Sequence, residues 1–327
     1  MDKKRYLIPG DYFADPSVHV YEGKVYIYPS HDYESGIPED DWGSHFDMKD
    51  YHVFSIDGDI MTAPVVDHGV ALDVKDVLWA TRQMWDCDCA EKDGKYYLYF
   101  PAKDKTDIFR VGVAVADKPY GPFTPLPDPI RGSYSIDQCV FKDDDGAYYM
   151  YFGGLMGGQL QRYRNNHAIE HPGFPADDEP AIPPRVARLT DDMLQFDEDP
   201  RAVLIVDENG KPLVTGDHAR RFFEASWMHK YNGKYYYSYS TGDTHLLCYA
   251  VGDNPYGPFV YQGVILTPVV GWTTHHCIIE HQGHWYLFHH DSVPSGGRTW
   301  LRSLKVCELH YDADGHIQTI EGLDEEK

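Results

Sequence analysis

Five times along this chain the same short unit returns: a polar side chain, an apolar run, a turn ending in glycine, and an answering strand of alternating aromatics. Its fullest form is SIDQCVFKDDDGAYYMYFGG, Ser135 to Gly154. The others are FADPSVHVYEGKVYIYPS from Phe13, MWDCDCAEKDGKYYLYF from Met84, FFEASWMHKYNGKYYYSYS from Phe222 and TTHHCIIEHQGHWYLFHHD from Thr273. Alternating residues on both sides of a short turn such as Asp-Gly or Asn-Gly predict a β-hairpin. A lone hairpin cannot bury both of its faces, so a repeated one must stack on its neighbours. Five four-stranded units packed around an axis make an all-β, five-bladed β-propeller. We expect one such domain to span residues 1–327.

Aligning the copies on Gly23, Gly94, Gly146, Gly233 and Gly283 puts Asp15, Asp86, Asp137, Glu224 and His275 eight or nine residues before each turn. In a ring these first-strand entrances converge on the central channel, so side chains far apart in sequence would share one cup. The spacings between entrances are 71 residues (15 to 86), 51 (86 to 137), 87 (137 to 224) and 51 (224 to 275). Taking 51 as one blade, the excess marks inserted loops near 31–50 and 155–184. Loops of that length usually form rims or lids. A second repeat, DKPYGPF at 117–123 and DNPYGPF at 253–259, follows an alternating strand each time and reads as a tight outer corner. The strands LRSLKVCELHY near the C-terminus are expected to fill out the last blade.

Twenty-nine Lys and Arg against 52 Asp and Glu give a net charge of -23, which disfavours nucleic acid and anionic membranes as partners. The 26 tyrosines suit strands and also flat surfaces for stacking on sugar rings. The opening MDKKRYLIPGDYF lacks the apolar run of a secretion signal, so a cytoplasmic location is expected. The six cysteines have no secreted-scaffold spacing, and Cys89, Cys139 and Cys277 recur just after three of the entrance residues, as small core thiols would.

Two carboxyl groups facing one pocket, one protonated and one ionised, are the minimum equipment for hydrolysing a glycosidic bond. Phe222, Phe223 and Trp227 surround Glu224 in sequence, and apolar surroundings raise a carboxyl toward the role of general acid. Asp15, before Pro16 at a polar strand entrance, would stay ionised and activate water, and Asp137 would raise and orient its neighbour. Capping of strand ends is the competing reading for any one of these acids. Trp79 and Trp85 are candidate stacking platforms or core residues. Asp86 would contact a sugar hydroxyl or a metal-bound water, or pair with backbone. Arg302 would reach a sugar hydroxyl in the channel or form a blade-edge salt bridge. His31, with Asp32, is placed at the pocket rim.

The ordered set ADPS, SID followed by an apolar pair and DDDG, FFE-x-x-W, and HH-x-I-I-E with GHWYLF resembles glycoside hydrolase family 43, from about Leu7 to Tyr311. That resemblance implies a five-bladed propeller and inverting chemistry, with Asp15 as base, Asp137 as modulator and Glu224 as acid. It also implies that His275 lies beside a central metal, often calcium held largely through water, and no organic cofactor is expected. The substrate implied is a short xylo- or arabino-oligosaccharide, cut by a β-xylosidase or α-L-arabinofuranosidase that releases single pentoses. An endo-arabinanase and a non-catalytic sugar-binding propeller are the alternatives. Two departures stand out: Trp85-Asp86-Cys87-Asp88 where many members have Trp-Ala-Pro-Asp, and Gln138 where Pro usually follows the modulator.

Overall fold

The computed structural model describes residues 3–169 and 172–323, so two residues of the expected 155–184 insertion and both extreme termini lie outside the described part. The described chain forms five sheets arranged as the blades of a propeller, antiparallel apart from the parallel pairing of Ile205–Val206 with Phe259–Leu266 in the fourth. The inner hairpins are Phe13–Tyr21 with Lys24–His31, Asp88–Lys92 with Lys95–Asp104, Cys139–Lys142 with Tyr148–Phe152, Glu224–Tyr231 with Lys234–Ser240, and His276–His281 with His284–Asp291. These are the five repeats, in order. Contacts between the inner strands of different blades build the hub.

Four of the hairpins turn through two residues of positive φ: Glu22-Gly23, Asp93-Gly94, Asn232-Gly233 and Gln282-Gly283. That backbone twist matches the twist of the flanking strands, and a second-position glycine adopts it without a Cβ clash. In the third blade the turn is longer, with Asp143 and Ala147 bonded across it and Gly146 alone at positive φ.

Outside the hairpins, the first blade continues with Asp50–Ile56 and Val65–Asp73 as its outer strands. Both Tyr-Gly-Pro corners are docking points for a neighbouring blade. Tyr28 donates its hydroxyl to the Pro119 carbonyl, and Tyr151 donates to that of Pro255, each at 2.6 Å. All six cysteines are buried and unbridged.

Ring closure differs from the expectation that C-terminal strands complete the last blade. Ser303–Leu309 is the third strand there, and the fourth is the N-terminal pair Arg5–Tyr6, in register with Val306 and Lys305. Arg5 also donates to the carbonyls of Ile60 and Ala63, tying that strand to the first blade. The chain beyond Leu309 turns back instead, and Ile320 bridges Leu266 of the fourth blade.

Candidate active site

Asp15, Asp86, Asp137, Glu224 and His275 line one cavity of about 780 Å³ at the hub. Local backbone geometry aims two of them. In the first blade an extra residue bulges between Ala14 and Ser17, and in the fourth between Glu224 and Trp227. Such bulges redirect side chains at the ends of strands. Asp15, Asp137 and Ala225 share a positive φ, at 47°, 62° and 64°. The residue of the fourth blade in the backbone conformation of Asp15 and Asp137 is therefore Ala225, and Glu224 stands one step earlier. This resolves the eight-or-nine spacing: the longer turn adds a residue in the third blade, and the displaced acid adds one in the fourth. The third and fourth entrances are also bonded directly, because the Ala225 N–H donates to the Asp137 carboxylate.

Charge partners then set Asp15 and Glu224 apart. Burial alone would raise the Asp15 carboxyl. The Arg302 guanidinium, 2.7 Å away, outweighs it together with a hydrogen bond from His275, and holds Asp15 far below the usual carboxylate range. Around Glu224 the balance reverses. Desolvation comes first and repulsion from Asp137 and Asp15 adds to it, so Glu224 is raised well above its ordinary value and stays protonated. Asp86 is raised for the same reasons, with Asp137 its strongest charged neighbour.

A second set of residues holds this arrangement in place. The Asp15 N–H donates to His290 Nδ1 at 3.1 Å, while His290 Nε2 reaches the Thr273 carbonyl at 3.0 Å. His290 is thus a neutral ring with its proton on Nε2, in keeping with burial that lowers it to about 3. Arg302 is clamped by Asp32, which accepts from its N–H at 2.8 Å, Nε at 2.9 Å and Nη2 at 2.7 Å. Its remaining amino group is left for Asp15 and for Thr273 Oγ1 at 3.2 Å.

Of the candidate substrate residues, Trp85, Asp86 and Arg302 line the cavity. The Trp85 indole is fixed by donating to the Phe46 carbonyl at 2.8 Å. Trp79 does not line it: the ring stacks on Phe100, 5.9 Å away, in the second blade, and packs over Gly112. The expectation of a stacking platform there is corrected: the residue sits in the turn before Ala80–Arg82, and its ring packs onto the second sheet. His31 is also corrected. It is buried behind the cup, stacked on Phe13 at 4.4 Å and bonded through Nδ1 to Asp50 at 2.7 Å.

Both inserted loops wall the cavity, the first through Glu39 to Asp41, His45 and Phe46, the second through Leu155 to Gly158, Phe174 and Asp177. Thr273, Phe46 and Trp272 escaped notice as site residues, and Asp32, placed at the rim with His31, is instead buried as the clamp on Arg302. A signal for Asp32 existed, since it adjoins the first hairpin, but its work depends on a guanidinium 270 residues away.

One oxygen each from Asp86 and Asp137 and one nitrogen of His275 lie within 4.8 Å of one another. Asp86 Oδ2 and both amide atoms of neighbouring Gln138 are buried without a hydrogen-bond partner. Oxygen-rich donors around orphaned polar atoms fit a hard cation such as calcium with ordered water.

Comparison with known proteins agrees with this geometry. The profile of "Glycosyl hydrolases family 43" matches residues 7–317. A xylosidase/arabinosidase of Bacteroides ovatus is 72% identical over 99% of both chains. A β-xylosidase of Xylanibacter ruminicola is 66% identical over 97% of this chain and 99% of its own. Among solved structures, a β-xylosidase/α-arabinofuranosidase from a compost microbial metagenome, in complex with xylotriose and in calcium-free form, is 61% identical. It superimposes with a TM-score of 0.96 over 99% of both chains.

Proposed function

From the premise that this chain belongs to glycosyl hydrolases family 43, we propose that it is an exo-acting, inverting β-xylosidase/α-L-arabinofuranosidase that releases xylose or arabinose from short oligosaccharides. The observation that carries this reading is the opposed state of two carboxyl groups facing one cavity: Asp15 ionised beside Arg302, Glu224 protonated among other acids.

Hydrolysis with inversion follows from those states. Asp15, the base, takes a proton from a water as that water attacks the anomeric carbon. Glu224, the acid, gives its proton to the departing glycosidic oxygen. Asp137 touches the backbone immediately after Glu224, so it both orients the acid and keeps its proton on. Trp85 offers an apolar face for a sugar ring, and the two inserted loops favour a pocket for a chain end over an open groove. Asp86, Asp137 and His275 would hold a calcium ion, whose fixed positive charge would offset the carboxylates gathered at the hub.

Rates on aryl β-xylosides and aryl α-L-arabinofuranosides, compared with dye-linked arabinan, test the exo assignment. Release of small sugars from the aryl substrates alone is expected, and cleavage confined to the polymer would overturn it. NMR of the first-formed anomer tests inversion, with retained configuration the contrary result.

A further inference from the structure

Behind the cup, on the first blade, stands a group of side chains that the hydrolytic reaction does not use. One ligand atom each from His31, Asp50 and His52 lies within 4.8 Å of the others. His31 ends the second strand of the blade, and Asp50 and His52 open the third, so the sheet itself brings them together. None is freely solvated: the side chains are 9%, 14% and 17% exposed.

The two imidazole rings have centroids 5.1 Å apart and planes inclined at 70°. Two histidines bound to one tetrahedral zinc at ~2.0–2.1 Å would hold their centroids about 5 Å apart. The surroundings also orient the donors. Tyr33 donates its hydroxyl to the second oxygen of Asp50. His52 Nδ1 faces the Asp67 carboxylate at 3.1 and 3.2 Å, which fixes the proton on Nδ1 and leaves Nε2 its lone pair. Asp11 stands 3.5 Å from His31 Nε2, on the far side of that ring, where it orients the imidazole with Nδ1 toward Asp50.

We propose that His31, Asp50 and His52 form a binding site for a divalent ion of the zinc class, distinct from the oxygen-rich group at the hub. Two imidazoles with a carboxylate suit a borderline ion, whereas calcium prefers an all-oxygen shell. In the metal-free chain His31 and Asp50 share a hydrogen bond of 2.7 Å. Binding replaces the proton in that bond with the ion and releases it to solvent. Asp32, the clamp on Arg302, is the next residue after His31, so the ion would sit directly behind the machinery that holds the base.

The test is calorimetric titration of the full chain, freed of metal by chelation, with Zn²⁺, beside Co²⁺ titration read by the visible absorption of its tetrahedral complexes. His275→Ala removes the hub histidine and should still bind one Zn²⁺ and give the tetrahedral Co²⁺ spectrum. Adding His52→Ala should weaken Zn²⁺ binding at least tenfold, roughly the scale of losing a ligand or its support, and abolish the spectrum. His52→Gln, which keeps size and polarity at this half-buried position, repeats the measurement if the alanine variant is poorly folded. Failure of His275→Ala to bind Zn²⁺, or equal affinity with and without His52, would overturn the assignment.

Discussion

Asp15 and Glu224 enter the same cavity from the first strands of two blades, each beside a one-residue bulge, yet they hold opposite charge states. The backbone device is shared, and the neighbours differ. Asp15 has a guanidinium at 2.7 Å and two imidazoles at 3.5 Å. Glu224 has carboxylates for charged neighbours, and the nearest relief, Arg302, is committed to Asp15 and Asp32. A propeller therefore builds an acid and a base from one repeated motif by placing a single buried cation off centre.

The sharpest way to break this contrast is to remove its ionised half. Asp15→Asn should lower kcat about 10³–10⁴-fold on every substrate, because water activation is needed whatever group leaves. Initial rates on xylobiose and on nitrophenyl xyloside check this, and a loss confined to one substrate would contradict the base role. Glu224→Gln should cost about 10²–10³-fold on xylobiose and clearly less on nitrophenyl xyloside, whose good leaving group needs little proton donation. Equal losses on both would remove Glu224 as the acid.

The clamp offers a gentler test. Asp32→Asn leaves Arg302 with weaker hydrogen bonds and should reduce kcat/KM about 10–100-fold, on the scale of a buried hydrogen bond to a charged group. The acid limb of its pH profile should move upward as Arg302 loosens from Asp15. An unmoved limb would shift the credit for ionising Asp15 to His275. The unaltered protein gives the smallest effect to measure. Activity needs Asp15 ionised, and its folded value lies below the ordinary 3.8, so kcat/KM should hold down to about that pH wherever the fold survives. Activity also needs Glu224 protonated, and its folded value lies above the ordinary 4.5, so the decline should come on the alkaline side, well above that value.

The blade count and the meeting of Asp15, Asp137 and Glu224 in one cavity were legible because a hairpin carries its own punctuation: a turn glycine, alternation, and an entrance at fixed distance. What escaped depends on contacts that no local pattern records. The offset of Glu224 from Asp15 rests on a bulge set by Ala225, a residue with no sign of its role in its type. Trp79 and Trp85 look alike in sequence, yet one packs on Phe100 and the other walls the cavity, because each ring is fixed by contacts distant in sequence, Trp79 by Phe100 and Trp85 by the Phe46 carbonyl. Ring closure rests on a two-residue strand, Arg5–Tyr6, too short to show alternation. Adjacency to the hairpin places His31 and Asp32 together at the rim, yet they part: His31 packs onto the first blade, and Asp32 is buried against Arg302.

That two-residue strand joins the first blade's leading edge to the last blade of the ring. Asp15 lies just after it and Arg302 just before its partner strand, so the base and the cation that keeps it charged sit on opposite banks of the same seam. During synthesis the four leading blades can emerge from the ribosome and even pack, but Asp15 has no guanidinium until the final blade docks. Hydrolytic competence thus arrives last, and a truncated or unzipped ring would bind sugars poorly and cut nothing.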